Sequence, residues 1–334
     1  MNRISIIICT RNRAEQLRLT LDALSRLEVP AGCAAELLVV DSASTDHTTG
    51  VIKDRYFDGK PLRSIREELP GLSRARNRGV AEASGEIVLF TDDDVRPPKH
   101  WIGAMCVPIL AGQASAVAGG VKIAPALIRP WMEKWHRVLM ASTEHLDDTA
   151  PANLVGANMA CAREVFDRVP GFDPEIGAGA LGYGEEVLFS AQVRQAGFKI
   201  VYVKDAEVEH HFDESRLTRK SLLEAARKLG RSNAYVAWHW DHSPVNSPGF
   251  LLAKSLARLG SYRVRRHKEC RSAEGAPAWE IQLLSDVYFY KHYLVEQKRT
   301  RRYGQRGLKI LVPSDPGSQT FPTGLAASAA GAGR

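Results

Sequence analysis

The chain has 334 residues, 44% of them apolar and 25% charged, which fits a folded chain of about two domains at roughly 150 residues each and excludes disordered or fibrous architecture. Its net charge of +7 is unevenly distributed: residues 215–312 hold 20 Lys and Arg against 7 Asp and Glu, whereas residues 1–214 hold 24 against 30. The five cysteines are scattered, odd in number and without a C-x-x-C pair, arguing against a disulfide scaffold or zinc ribbon and for a reducing, cytoplasmic compartment.

Ile4 to Thr10 is a largely β-branched run, suited to a strand buried on both faces. Its apolar part, Ile4 to Cys9, is soon followed by Arg11 and is too short for a secretory signal. Leu17, Leu21, Leu24 and Leu27 then recur at helical spacing from Ala14. Glu36 to Asp41 is a second expected strand, followed by Ser44-Thr45-Asp46, whose side-chain oxygens suit the cap of a next helix. Leu62 to Glu67 is expected as an edge strand, Gly71 to Ala83 as a helix and Gly85 to Phe90 as a central strand. This alternation predicts an α/β fold, a Rossmann-type parallel or mixed sheet sandwiched by helices.

Further along, Ala104 to Ala124 is strongly apolar, but Pro108, Gln113, Ser115 and Lys122 interrupt it, so it is not expected to span a membrane. Val117–Ile123, Ala157–Ala162 and Lys199–Val203 are expected strands, and a Gly-rich loop from Gly171 to Gly184 leads into a helix over Glu185–Gln195. Within that loop Gly177-x-Gly179-x-x-Gly182 has the letters of a dinucleotide fingerprint, but it follows no apolar strand and is read as loop. From 215 onward the pattern turns helical. Leu252, Leu256 and Leu259 against Lys254, Arg258 and Arg265 make a basic amphipathic segment of the kind that lies in an anionic membrane interface. Trp279, Leu283, Val287, Tyr290 and Leu294 mark one face of a long helix ahead of Lys298, Arg299, Arg301 and Arg302. The expected units are 1–104, 105–214, a basic helical extension over 215–312, and a disordered tail, 313–334, which lacks apolar bulk.

In a parallel sheet, ligands gather at the carboxyl ends of the strands. Three such ends are polar here: Thr10-Arg11-Asn12-Arg13, Asp41-Ser42 and Thr91-Asp92-Asp93-Asp94. Three successive carboxylates beyond a buried strand repel one another unless a cation joins them, and hard oxygen donors point to Mg²⁺ or Mn²⁺. Glu185 and Glu186 stand at the start of a helix, whose terminus favours the ionised, proton-accepting form by roughly 0.3–1 kcal/mol. His239 and His242 form an H-x-x-H without a third partner, and packing of Trp238 and Trp240 is the expected role of that segment.

Five segments then occur in an order that resembles family 2 glycosyltransferases of GT-A fold: Ile4 to Arg13, Glu36 to Asp46, Ser73-Arg-Ala-Arg-Asn-Arg-Gly79, Phe90-Thr-Asp-Asp-Asp94 and Gly184-Glu-Glu186. The resemblance covers residues 1–214 and makes 1–104 the nucleotide-sugar half and 105–214 the acceptor half of one domain. It implies a nucleotide-diphospho-sugar donor, with UDP as the default nucleotide, a divalent metal on an Asp-x-Asp motif, and inversion at the anomeric carbon. Carried onto this chain, Asp92 and Asp94 are the motif, bridging ribose and metal, with Asp93 between them. Thr10, Arg11, Asn12, Asp41 and Ser42 line the nucleobase pocket, Ser42 standing where the family often has Asp or Asn. Arg76 and Asn77 lie beside the donor, and Arg74 or Arg76 meets a phosphate oxygen. Glu186, beside Glu185, takes the place of the catalytic base, where the family more often has Asp. His210, with His211 second, takes the place of a histidine that reaches the metal. The implied acceptor is a saccharide or lipid-linked saccharide, in cell-surface polysaccharide or glycolipid synthesis. The expected location is cytoplasmic and peripheral on the inner face of the membrane through residues 215–312. Two rivals fare worse: a nucleotidylyltransferase needs a Gly-rich phosphate loop after the first strand, and nucleic-acid binding lacks any zinc-finger, RNP or helix-turn-helix spacing.

Overall fold

The computed structural model describes residues 1–146 and 153–310; the tail expected over 313–334 and part of the 125–155 region lie outside the described residues. In chain order the first elements are β1 (Asn2–Thr10), α1 (Ala14–Leu24), β2 (Cys33–Ser42), α2 (Thr48–Ile52), a small hairpin of β3 (Tyr56–Phe57) and β4 (Lys60–Pro61), and β5 (Arg63–Glu67). There follow α3 (Leu72–Glu82), β6 (Ile87–Asp92), β7 (Val95–Arg96), α4 (Trp101–Leu110), β8 (Ala116–Ile123), α5 (Lys134–Leu139), β9 (Asn158–Ala162), α6 (Arg163–Arg168), α7 (Glu185–Gln195) and β10 (Ile200–His210). Three long helices close the described chain: α8 (Arg219–His239), α9 (Pro248–Arg265) and α10 (Ala278–Glu296).

Eight strands form one sheet in the order β5-β2-β1-β6-β9-β8-β10-β7. β5, β2, β1 and β6 run parallel, β9 lies antiparallel between β6 and β8, and β10 returns parallel to β8. β1 is buried on both faces. Ile4, Ile6 and Ile8 pack with Leu17, Leu21 and Trp101 on one side, and Ile7 and Cys9 with Leu38, Ala75 and Phe90 on the other, which is why its apolar run does not alternate. The register sets Thr10 beside Asp41 and Cys9 beside Asp92, so three strand ends open at one edge.

Two expectations shift in detail. β10 does not stop at Val203 but continues through His210, across a register irregularity between Val203 and Val208 that carries the strand past Lys204 and Asp205. Of the three capping candidates only Asp46 works at helix starts, its carboxylate accepting from the backbone N–H of Ala14 at 3.2 Å and of Thr48 at 3.1 Å; Ser44 Oγ instead accepts from Asn12 N–H at 2.9 Å. Among the described residues no helix is long and apolar enough to cross a membrane. All five cysteines are free thiols.

Candidate active site

The acidic run stands at the end of β6. Asp93 and Asp94 are almost wholly buried, and a single arginine spans them: Arg13 donates from Nη1 to Asp93 and from Nη2 to Asp94, both at 2.5 Å. Thr10 Oγ1 adds a donor to Asp93 at 2.7 Å. Burial, with the neighbouring carboxylates, still pushes Asp93 up to about 7 against Arg13 and Thr10. Burial also raises Asp94, but His210 and Arg13 overcome it and hold that carboxyl well below the usual range. Asp92 is less enclosed; burial and Asp94 raise it, with Arg76 opposing.

His210, at the end of β10, is buried beside Asp94. Its Nδ1 lies 2.8 Å from the Met140 carbonyl oxygen; a carbonyl only accepts, so Nδ1 carries a proton and Nε2 is the nitrogen left to face the acidic run. Nε2 faces Asp94 Oδ1 at 3.3 Å, and that oxygen is buried without a hydrogen-bond partner. A carboxylate oxygen without a hydrogen-bond partner, opposite an imidazole nitrogen, is a donor set that suits a divalent cation such as Mn²⁺. Asp92 is turned toward Arg76, and among the described residues no three His, Cys, Asp or Glu side chains already converge on one point. His211 is engaged elsewhere, with Glu209 at 3.2 Å, so of the two histidines only His210 meets the acidic run.

Across the site, α7 follows directly on Gly184 and carries both glutamates in its first turn. Glu185 is buried and accepts from Arg76 Nη1 at 2.7 Å. Arg76 Nη2 reaches Asp92 at 3.6 Å, and its guanidinium carbon lies 5.4 Å from the centroid of the Phe172 ring. One buried cation thus joins the β6 terminus to the start of α7. Gly156 makes room for it, since a Cβ there would meet Arg76 Nη2 at 2.0 Å. The Arg76 guanidinium thus faces carboxylates on two sides, hydrogen-bonded to Glu185 and ion-paired at longer range with Asp92. The Asn77 amide donates to the Phe172 carbonyl and accepts from the Phe172 N–H, both at 2.8 Å. Arg74 is half-exposed and has no ion pair among the described residues.

Glu186 departs from the ionised state expected at a helix start. Burial, and then the charge of Glu185, push it up to about 8, with Arg76 opposing. A helix terminus contributes roughly 0.3–1 kcal/mol, too little to offset enclosure beside another carboxylate.

The loop ahead of α7 is clamped from two sides. From α3, Ser73 Oγ donates to the Ile176 carbonyl at 2.8 Å and Leu72 N–H to the Ala178 carbonyl at 2.9 Å. Gly177, at φ 95°, is required here, since a Cβ would lie 2.9 Å from Ser73 Oγ and 3.1 Å from Glu185 Cδ. From the other side, Asp173 accepts from Tyr235 at 2.7 Å and Tyr303 at 2.5 Å, and Glu175 pairs with Arg299 and Arg302.

The remaining expected donor residues stand at and just after the ends of β1 and β2. Thr10, Asp41 and Ser42 are buried, and Arg11 and Asn12 are exposed. Asp41 is tied to Arg66 at 3.0 Å and to the Ser44 N–H at 2.9 Å, while Ser42 Oγ accepts from Gly71 N–H at 3.1 Å.

Residues 5–169 match the profile of the family described as Glycosyl transferase family 2. Those residues belong to that family. Curated relatives include glycosyltransferase AglE of Haloferax volcanii, 31% identical over 35% of this chain and 38% of that protein. The glucosyl-dolichyl phosphate glucuronosyltransferase of the same organism is 24% identical over 64% of this chain and 71% of that protein. Among solved structures, the mannosyltransferase PcManGT of Pyrobaculum calidifontis, in complex with GDP-Man and Mn²⁺, covers 88% of this chain and 87% of its own at a TM-score of 0.57 and 18% identity. That likeness shows the GT-A fold.

Sequence reasoning missed two residues of this family 2 site. Arg13 was visible only as one of several polar residues after β1, and Arg66 as an edge-strand cation; nothing local says which carboxylate each will meet. The H-x-x-H pair does not come together: His239 Nε2 is bound to Glu296 at 2.9 Å and His242 Nε2 to the Tyr303 carbonyl at 3.0 Å.

Proposed function

We propose that the protein is an inverting transferase that moves a sugar from a nucleoside-diphospho-sugar to an acceptor hydroxyl. The observation that carries this reading is the Arg76 bridge, which fixes a carboxylate-rich, histidine-flanked strand end opposite the half-buried Glu186, whose carboxyl is pushed up to about 8. Asp94 and His210, with Asp92, would hold a divalent cation, Mn²⁺ or Mg²⁺. Such an ion supplies neutralising charge for a departing diphosphate. Thr10, Arg11, Asn12, Asp41 and Ser42 form the lip on which the nucleoside is placed, and Arg74, without an ion pair among the described residues, meets a phosphate oxygen.

Glu186 accepts the proton of the acceptor hydroxyl as that oxygen bonds to the anomeric carbon from the face opposite the diphosphate. The bond from the anomeric carbon to the diphosphate oxygen breaks with its electron pair, and one displacement inverts the centre. A positioned base contributes roughly 10²–10⁴-fold. Glu185, held by Arg76, is a positioning residue that sets the environment of Glu186. The acceptor is a saccharide or a lipid-linked saccharide in glycolipid or cell-surface polysaccharide synthesis; the dolichyl phosphate in a relative's name supports the lipid-linked class. Replacement Glu186→Gln should leave nucleotide-sugar binding intact, measured calorimetrically, while transfer falls by about 10²-fold or more. A variant that transfers sugar at the normal rate overturns the assignment.

A further inference from the structure

The charge of the C-terminal third resolves into two populations. Arg219 and Arg263 both bind the buried Glu280, Arg299 and Arg302 bind Glu175, Arg306 binds Asp241, and Lys309 Nζ lies 3.7 Å from Asp173. These cations are spent on holding the fold. Exposed and without an ion pair among the described residues are Lys220, Lys228, Arg271, Lys291 and Lys298, and a group of four, Lys254, Arg258, Arg265 and Lys268. All four fall on or just after α9, and from His242 to Lys268 the chain contains no acidic residue.

α9 is also the helix least covered by the rest of the molecule. Leu259 is its one buried residue, docked in the cluster with Leu222, Ile281 and Leu284. On the outward side Phe250 is 69% exposed, Leu256 51% and Val264 76%. At about 100° per residue these three share one arc with the exposed Ala253, Ala257 and Gly260. Lys254, Arg258 and Arg265 run along one edge of that arc. An apolar strip with a cationic rim is the pattern of a helix lying flat in a lipid interface.

We infer that the outward face of α9 is a docking surface for an anionic phospholipid bilayer, with Phe250, Leu256 and Val264 entering the acyl boundary and the rim meeting lipid phosphates. Charge decides the occupant. A second copy docked through the same strip would set basic rim against basic rim, with Asp286 beside Arg258 offsetting only part of that charge, and an aqueous polyanion would leave the apolar strip in water. An anionic bilayer satisfies both halves of the face. The inference goes beyond the transferase reading and does not depend on it, because its test measures binding and not transfer.

The full-length protein is floated with vesicles of phosphatidylcholine alone or with phosphatidylglycerol added, at about 0.1 M salt and again at about 0.5 M, where screening is stronger. It should float with the anionic vesicles at low salt, stay behind with phosphatidylcholine alone, and be released at high salt. Val264→Ser with Phe250→Ser, and separately Lys254→Glu with Arg265→Glu, should each lower the bound fraction by about tenfold, with unchanged circular dichroism and melting temperature. These positions are exposed and outside the active site, so the fold is expected to survive both changes. Failure to float with anionic vesicles overturns the inference, as does flotation that survives both double substitutions. A concentration-dependent dimer abolished by Val264→Ser, without vesicle binding, assigns the face to self-association and equally overturns it.

Discussion

Replacing Arg76 by Met is the sharpest test of the site's construction. The substitution keeps an apolar side chain over Phe172 but withdraws the cation from Glu185, which is 5% exposed, and from Asp92. Breaking a buried ion pair from one side leaves an uncompensated charge and costs about 3–5 kcal/mol, whereas Asp92, with 28% of its side chain exposed, regains part of its hydration. Arg76→Met is therefore expected to lose about 3–5 kcal/mol in urea denaturation followed by far-ultraviolet circular dichroism. Arg76→Met with Glu185→Leu removes both buried charges and should recover all but about 1–2 kcal/mol of that loss. Arg76→Lys, which keeps the charge but not the two-pronged fork, should fall between wild type and Arg76→Met. A loss below about 1 kcal/mol for the single change, or a double variant no more stable than the single, would refute the bridge as the tie between the β6 terminus and α7.

Because burial pushes Glu186 up to about 8 and a base works deprotonated, kcat/KM should rise about tenfold per pH unit below that value and level off above it; a flat profile across the neutral range contradicts the assignment. Chelation should abolish transfer and Mn²⁺ restore it, and His210→Ala should weaken the Mn²⁺ concentration dependence; activity indifferent to chelator would remove Asp92, Asp94 and His210 from the donor site. Tyr303→Phe deletes one of two phenol donors to the buried Asp173 while keeping the ring. It should cost about 1–2 kcal/mol and speed amide exchange across 174–184, and unchanged exchange would show that the C-terminal segment does not hold that loop.

Local chemistry in the chain carried a good deal of this picture. The β-branched run of Ile4–Thr10, the leucine spacing after Ala14 and the polar residues after each strand depend only on neighbours in sequence, and the helix expected at Glu185–Gln195 is observed with those bounds. Where the sequence reading slipped, the deciding term was long-range. β10 runs past the charged Lys204-Asp205 because β7 and β8 offer it hydrogen-bonding partners at His210 and Glu209.

The candidate site divides in the same way. Residue type and order alone bring the acidic run, the glutamate pair and the strand ends into view, because such groups are costly to place without a purpose. Which cation meets which carboxylate was settled by packing: Arg13 spans Asp93 and Asp94, Arg76 turns inward to Glu185, and Asn77 clamps Phe172, across separations of 80 or more residues. The proton affinity of Glu186 belongs there as well. A helix start argues for the charged form, and only the folded enclosure, with Glu185 beside it, reverses that preference, since desolvation is a property of the surroundings and not of the residue.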